Sequence, residues 1–329
     1  MQAAWYSTLG PAREVLVIGE MARPEPAAGE VLVRVYASGV NPSDVKARAG
    51  TRAGVSGLVW PRVIPHSDGA GIVEDVGADV PRARVGERVW LWNAQWQRPF
   101  GTAAEYVALP AAQAVPLPAS TSFTEGACLG IPAMTAHRCI HADGPVSGQT
   151  LLITGGAGTV ARYAIQFAKL AGATVVTTVS NPTKAGHARS AGADFILNYR
   201  EDDVASAVMD LTAGRGVDRI VDLEFGANLP VSLQVIRPNG LIVAYGSAAV
   251  MRPELPFYPL MFKGVNLRLV LIYILPDEAR AAALRDLGRL LNEGALSHAV
   301  ARCLPLAETA AAHELVESSD KLGSVVVLP

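Results

Sequence analysis

A glycine-rich turn between two apolar segments is the stretch of this sequence best suited to chemistry. Leu151–Ile153 has the length and composition of a buried parallel strand. Three glycines follow it: Gly155, Gly156 and Gly158. Apolar residues then recur at helical spacing from residue 160 onwards, which indicates that a helix follows the turn. Gly156-x-Gly158-x-x-Ala161 fits the G-x-G-x-x-A form of the dinucleotide-binding fingerprint.

This fingerprint has a physical basis, because glycine lets the backbone turn sharply and approach a pyrophosphate closely. The helix that follows offers free N–H groups and the positive end of its dipole to the phosphates. A tight βα turn without a ligand is the alternative, and the flanking strand and helix favour cofactor binding. The expected cofactor contacts of this turn are Gly155, Gly156, Gly158, Thr159 and Val160.

Composition indicates a compact two-domain enzyme. The chain has 329 residues, of which 50% are hydrophobic and 18% charged, and its formal net charge is −2. Such a charge does not mark a nucleic-acid or acidic-membrane binder, and no apolar run reaches the length of a membrane span. The first residues do not resemble a secretory signal. Widely spaced Cys128, Cys139 and Cys303 argue against a disulfide framework, so we expect a cytoplasmic protein.

Short strands punctuated by proline are predicted for residues 1 to about 120. The strand patterns are Glu30–Ala37, Ala70–Gly77, Gly86–Trp92 and Ala104–Leu109. Many short strands with turn signals between them are typical of a barrel-like β domain. Pro116, Pro118 and the polar residues after them form its expected boundary.

Helices and strands alternate from Phe123 onwards, which predicts an α/β fold with a doubly wound parallel sheet. Thr124–His141 is predicted to be helical after its Pro132. The predicted strands of the sheet are Leu151–Thr154, Ala173–Val179, Phe195–Leu197, Arg219–Asp222, Gly240–Gly246 and Asn266–Ile274. The tail is predicted to form helices at Asp277–Asn292 and Leu306–Ser318 and a final strand at Ser324–Leu328.

The order of these stretches resembles that of the medium-chain dehydrogenase/reductase superfamily, and more narrowly the zeta-crystallin-type quinone oxidoreductases. The matching stretches are Ala37–Asp44, Gly69–Val73, Gly86–Val89, Gly155–Lys169, Leu197–Glu201, Ala312–Leu315 and Gly323-Ser324. The resemblance implies a GroES-like β-barrel catalytic domain made of residues 1–122 and 268–329. It also implies a Rossmann NADPH-binding domain at residues 123–267, with the active site in the cleft between the domains.

Zinc chemistry needs three ligands and an open position, and zinc-containing members of the superfamily supply them. The resemblance places those ligands near Asn41, near residues 67–68 and around Gly130, where this chain has no cysteine. Asn41 and Ser67 are poor ligands, and His66 and Asp68 are better interpreted as hydrogen-bonding around a turn. Without a Lewis acid, hydride delivery to an electrophilic acceptor is favoured over alcohol oxidation. We therefore expect no metal.

Asn41 resembles the family's cleft asparagine, whose amide would bind the nicotinamide ribose or an acceptor carbonyl. The alternative is an Asn-Pro turn with no further role. The resemblance also implies a cofactor contact for Thr135. Lys46, Trp92 and Trp96 are candidates for the acceptor pocket. The alternative is a surface position for the lysine and a place in the strand core for the tryptophans.

The turn after the second strand of the sheet bears on cofactor type, because NAD enzymes usually place a carboxylate there. This chain has Ser180 and no acid in that turn. Lys184 and Tyr199 align with family residues that hold the 2′-phosphate of NADPH. The segment expected beside the nicotinamide is Tyr245, Gly246 and Ser247.

Together these observations predict a zinc-independent oxidoreductase that transfers hydride from NADPH to a quinone or an α,β-unsaturated carbonyl. One alternative is an enoyl-thioester or haloacrylate-type alkene reductase on the same fold. The other is a non-catalytic, crystallin-like binding protein, and the near-neutral charge weighs against an RNA partner. The expected partners are a small electrophilic acceptor and a second subunit, with no nucleic acid and no membrane. The second subunit would pair through the sheet edge at residues 266–274, as in relatives.

Overall fold

The computed structural model describes residues 1–54, 57–318 and 321–329. They form two compact units, one made of Met1–Ile131 with Leu284–Pro329 and the other of Pro132–Ala283. No helix in these described ranges is long and apolar enough to cross a bilayer.

The elements are numbered along the chain. The strands are β1 (Gln2–Trp5), β2 (Val17–Glu20), β3 (Glu30–Val40), β4 (Asp68–Val76), β5 (Arg88–Leu91), β6 (Tyr106–Pro110), β7 (Ala114–Pro116), β8 (Thr150–Ile153), β9 (Thr174–Val179), β10 (Phe195–Asn198), β11 (Val217–Asp222), β12 (Ile236–Ala244), β13 (Asn266–Leu269), β14 (Val300–Pro305) and β15 (Ser324–Leu328). The α-helices are α1 (Ala12–Val15), α2 (Pro42–Ala49), α3 (Phe123–Gly126), α4 (Met134–His141), α5 (Thr159–Leu170), α6 (Pro182–Ser190), α7 (Val204–Leu211), α8 (Phe225–Val235), α9 (Phe257–Phe262), α10 (Asp277–Asn292) and α11 (Thr309–Glu317).

The first unit is built on a sheet in the order β14-β15-β3-β4-β5-β7, with β6 paired to β3. Strand β3 shows why this segment forms a strand: Val33 and Val35 are buried whereas Arg34 between them is exposed, the period of two expected for a half-buried strand. The C-terminal strand β15 pairs antiparallel with β3, Val326 opposite Gly39. The chain's end therefore completes the β domain that its beginning starts, as expected for a GroES-like fold.

The second unit contains a parallel sheet in the order β10-β9-β8-β11-β12-β13. Counted from β8, this is the strand order 3-2-1-4-5-6 of the dinucleotide-binding fold. The apolar Leu151, Leu152 and Ile153 of β8 are almost completely buried at the centre of the sheet. Such burial on both faces explains why β8 is a continuous apolar run without alternation. The predicted Rossmann fold is confirmed.

One predicted strand is shorter in the structure, and the predicted helix Thr124–His141 is divided into α3, a π-helical segment and α4. The expected strand Asn266–Ile274 ends at Leu269, because its partner β12 ends at Ala244, and Ile272–Ile274 forms a 3₁₀ turn instead. The expected helix after Pro132 is confirmed as α4. Pro132 itself lies in a π-helical segment, Leu129–Ala133, where its missing N–H interrupts regular helical bonding.

Candidate active site

The glycine turn lies directly against strand β9. Gly155 has a φ of +65°, a left-handed conformation that favours glycine, and its N–H donates to Thr178 Oγ1. The N–H of Gly156 donates to the Thr178 carbonyl at 2.9 Å. A Cβ on Gly156 would lie 2.3 Å from Thr177 Oγ1, so no side chain fits there. The sequence therefore needs glycine at both positions for steric reasons.

Helix α5 begins at the end of this turn. Gly158 is its N-cap residue in an extended conformation and has no side chain with which to cap the helix. The N–H groups of Thr159 and Val160 lie in the first turn, where no intrahelical acceptor exists. Such a helix start is a ready site for an anion, since both the free N–H groups and the dipole favour negative charge.

The carboxyl ends of β9 and β10 lie side by side, with Val179 opposite Asn198. Ser180 follows β9 and is buried, and Lys184 lies in the first turn of α6 with its N–H donating to the side chain of Asn181. Tyr199 follows β10 and is 54% exposed. The structure thus places these three predicted residues at the same carboxyl end of the parallel sheet.

At the carboxyl end of β12, beyond β8 and β11 in the same sheet, the segment Tyr245–Gly246–Ser247 is held tightly. A Cβ on Gly246 would lie 2.3 Å from the carbonyl oxygen of Leu223. The Ser247 hydroxyl donates to the carbonyl of Val250. The carboxylate of Glu224 accepts the N–H groups of residues 248 and 249, both at 2.9 Å. Sequence reasoning missed Glu224, because its partners are backbone groups more than twenty residues away.

Asn41 lies in the first unit, where strand β3 ends and helix α2 begins. It is 4% exposed, and its side-chain Nδ2 donates to Asp68 Oδ2 at 2.8 Å. Its backbone N–H donates to Asp44 Oδ2, also at 2.8 Å. Burial raises the pKa of Asp44 to about 7, against the opposing effects of the N–H groups of Asn41 and Ser67 and of the charge of Arg52.

Asp68 is fully buried, and burial raises its pKa well above the usual range. The N–H of Ile131 donates to both of its carboxyl oxygens, at 3.0 and 2.8 Å, and opposes that shift, as does the amide of Asn41. Asp44 raises the pKa further through its negative charge. The side chains of Asn41, Asp44 and Asp68 thus form one buried polar cluster.

A second buried chain of hydrogen bonds runs behind this cluster. Thr102 donates its single hydroxyl proton to the carbonyl of Asp68. Ser38 Oγ, 2.7 Å away, must therefore donate to Thr102 and accept from His66 Nδ1 at 2.8 Å. His66 Nε2 in turn accepts from His313 Nε2 at 2.9 Å. Both imidazoles are neutral in this arrangement, and burial lowers the pKa of His66 and brings that of His313 to about 3.

Two family models match long stretches of the chain. Residues 27–119 match the family model described as alcohol dehydrogenase GroES-like domain, and residues 159–288 match that described as zinc-binding dehydrogenase. A quinone oxidoreductase of Pseudomonas aeruginosa is 31% identical over 96% of both chains, and a 2-haloacrylate reductase of a Burkholderia species is 31% identical over 92% of both. The chain belongs to the quinone oxidoreductase family of medium-chain dehydrogenases/reductases.

Solved structures of this family superpose closely on the chain. A mycobacterial protein complexed with NADPH has a TM-score of 0.89 at 29% identity, with all of both chains covered. The quinone oxidoreductase of Escherichia coli complexed with NADPH has a TM-score of 0.87 at 27% identity, again over both whole chains.

In this chain, the positions at which zinc-containing family members would carry ligands lie close together. Asn41 bonds to Asp68, and a Cβ on Gly130 would lie 2.1 Å from Asp68 Oδ1. The donor atoms present are engaged, since both oxygens of Asp68 accept N–H groups and both ring nitrogens of His66 are hydrogen-bonded. Within the described residues, no group of three His, Cys, Asp or Glu side chains is arranged to hold a metal ion.

The remaining predicted residues lie in different surroundings. Thr135 is buried in α4. Trp92 is 6% exposed and belongs mainly to the core of the first unit. Trp96 is half-buried, with the guanidinium of Arg52 5.1 Å above its ring, whereas Lys46 is exposed on α2. A role of these residues in cofactor or acceptor binding stays a prediction.

Proposed function

We propose that the chain is a zinc-independent oxidoreductase that uses NADPH to reduce a quinone or an α,β-unsaturated carbonyl. The observation that carries the proposal is the glycine turn packed against β9 in a quinone oxidoreductase family member, because it leads into the start of α5, where Gly158 provides no side-chain cap and the first N–H groups can bind a pyrophosphate. When bound, NADPH supplies the hydride. The protein's own residues bind, orient and shield the reacting groups.

The residues that follow the carboxyl ends of β9 and β10 favour NADPH over NADH. The turn after β9 has no carboxylate to bind the ribose diol or to repel a phosphate. Lys184 offers a positive charge in the first turn of α6, and it forms no salt bridge with any residue that the structure describes. Tyr199 offers an exposed hydroxyl and Ser180 a second one. Two family members of known structure are complexed with NADPH, which supports the same choice.

In the first unit, Asn41 is the proposed catalytic residue. Its side-chain amide, which donates one N–H to Asp68, would bind an acceptor carbonyl or the nicotinamide ribose. A donor there would stabilise negative charge as it develops on the carbonyl oxygen.

Zinc independence is supported by the donor atoms around Asn41. A catalytic zinc needs three protein ligands that are free to bind it. Here the imidazole of His66 and the carboxyl of Asp68 are committed to hydrogen bonds, and Gly130 has no donor side chain. The test is activity after exhaustive chelation together with metal analysis. Stoichiometric zinc whose removal abolishes activity would contradict the proposal.

A second candidate acceptor is an electron-poor alkene, as in the alternative of a haloacrylate-type reductase. The observation that favours it is the 31% identity to a 2-haloacrylate reductase over 92% of both chains. Because both candidates accept hydride at an electrophilic carbon or carbonyl, one panel tests both: a para-quinone, an enone, an enoyl thioester and a 2-haloacrylate, each with NADPH. If the quinone or the enone is reduced with the highest kcat/KM, the result supports the quinone or α,β-unsaturated carbonyl acceptor. If the haloacrylate or the enoyl thioester is reduced with the highest kcat/KM, the result supports the electron-poor alkene. No NADPH oxidation with any acceptor would favour a binding protein.

We also propose that the chain forms a homodimer through the edge strand β13. Within the described residues β13 pairs with β12 alone, and Leu267 and Leu269 are 41% and 71% exposed on it. Phe257 and Phe262 of α9, which precedes β13 in the chain, are also exposed, at 67% and 80%. An apolar sheet edge of this kind favours pairing with a second strand.

A further inference from the structure

We propose that Asp68 is a positioning residue for the reaction, which fixes the side-chain amide of Asn41 in a single orientation. This inference rests on the proposed function, because Asn41 is the residue through which Asp68 would act.

Asn41 is held from two directions at the junction of β3 and α2. Asp44, in the first turn of α2, accepts the backbone N–H of Asn41, which fixes the main chain, and its carboxyl also interacts with the Asn41 side chain. Asp68, at the start of β4, accepts the side-chain Nδ2 at 2.8 Å. An asparagine held only through its backbone could exchange its amide oxygen and nitrogen by rotating about χ2. The bond to Asp68 removes that freedom, because a carboxyl oxygen that already accepts N–H groups attracts Nδ2 and repels Oδ1.

The Asp68 carboxyl is itself rigid. The N–H of Ile131 donates to both oxygens, and the Cα of Gly130 packs against Oδ1 so closely that a Cβ would lie 2.1 Å from it. The Asp68 backbone is paired to Gly39 of β3 and accepts the Thr102 hydroxyl at 2.6 Å. A side chain with this many partners holds a single rotamer. It can therefore impose its geometry on Asn41.

Folding alone does not account for this arrangement. Burying a carboxyl group costs stability, and Asp68 is fully buried without a cationic partner among its hydrogen bonds. The cluster formed with Asn41 and Asp44 adds a second buried carboxyl beside it. Holding a donor ready at a site where charge develops is a function that such a costly group can serve.

The test is a double-mutant cycle on kcat and KM, with the parent, Asn41→Ala, Asp68→Asn and the double variant. In Asp68→Asn an amide nitrogen can take the place of Oδ2. In a fraction of the molecules the Asn41 side-chain amide would then rotate by 180° about χ2 and exchange its oxygen and nitrogen. We expect kcat to fall about tenfold, the order of one misoriented hydrogen bond, with the KM for NADPH within about twofold. In the Asn41→Ala background the same change should alter kcat by less than about twofold, since the residue acted upon is gone.

Equal losses from Asp68→Asn in the two backgrounds would overturn the positioning role, because they would show that Asp68 acts independently of Asn41. Asp75→Asn, a carboxyl-to-amide change at an exposed pair with Arg82, is the matched control and should leave kcat unchanged. If Asp68→Asn does not fold, Asp68→Ser, which keeps an acceptor for Ile131, takes its place in the cycle. A parent enzyme that reduces none of the acceptors would instead refute the proposed function, and the positioning role with it.

Discussion

Replacing Gly156 by alanine should damage the proposed NADPH site, and the structure allows the cost to be worked out. The new Cβ would lie 2.3 Å from Thr177 Oγ1 and 2.9 Å from its Cγ2. Thr177 is fully buried, and its hydroxyl donates to the carbonyl of Ile153, so it cannot rotate away without losing that bond. The turn must therefore move off β9. Overpacking of this kind costs roughly 1–3 kcal/mol of unfolding free energy.

The same shift would strain the bond from the Gly156 N–H to the Thr178 carbonyl and displace the start of α5. We expect the Kd for NADPH to rise by about tenfold or more, since about 1.4 kcal/mol of lost binding energy is a factor of ten. The measurement is titration of NADPH fluorescence, together with the free energy of unfolding in urea.

Gly288→Ala is the matched control. Gly288 lies in helix α10, outside the glycine turn, and an added Cβ there would meet nothing within 4 Å. Alanine is favoured over glycine in a helix interior by roughly 0.5–1 kcal/mol, so this variant should fold and bind NADPH as the parent does. The reasoning is refuted if Gly156→Ala binds NADPH as tightly as Gly288→Ala does.

Three further predictions concern cofactor choice, pH and assembly. Lys184→Ala should raise the KM for NADPH about tenfold or more and leave that for NADH nearly unchanged, because a charge-assisted bond contributes roughly 1.5–3 kcal/mol; equal effects on both would contradict the 2′-phosphate contact. His313, whose pKa falls from 6.5 unfolded to about 3 folded, binds fewer protons in the folded state, so stability should fall on acidification. Between about pH 7.5 and about pH 5 the parent should lose about 2 kcal/mol relative to His313→Gln in urea unfolding, and parallel pH profiles would exclude this origin. Light scattering should give a dimer for the parent and a monomer for Leu269→Arg, and a monomeric parent at micromolar concentration would contradict pairing through β13.

Much of the fold could be predicted from the sequence because its signals are local. The apolar run at Leu151–Ile153, the glycine turn and the helical spacing that follows lie within about twenty residues, and the structure confirms the strand, turn and helix. The length of β13 could not be predicted, since it depends on where its partner β12 ends at Ala244. Strand β14 was missed because Val300–Pro305 is only partly buried and lacks clear alternation.

The partners inside the candidate site depend on contacts between residues distant in sequence. Asn41 was selected from the sequence, yet the contact to Asp68 spans 27 positions and no local pattern predicts it. The bond between His66 and His313 spans 247 positions and exists only because the C-terminal segment returns to the first unit. Long-range hydrogen bonds of this kind follow from topology and not from periodicity.

The most direct test of the proposed function is the transfer of a label. The enzyme would be given NADPH carrying deuterium at the transferable nicotinamide position, with an α,β-unsaturated carbonyl acceptor, in buffer containing a chelator. The proposal predicts that the deuterium appears at the β-carbon of the reduced product by mass spectrometry and NMR. Product without deuterium, or no product although NADPH binds, would contradict it.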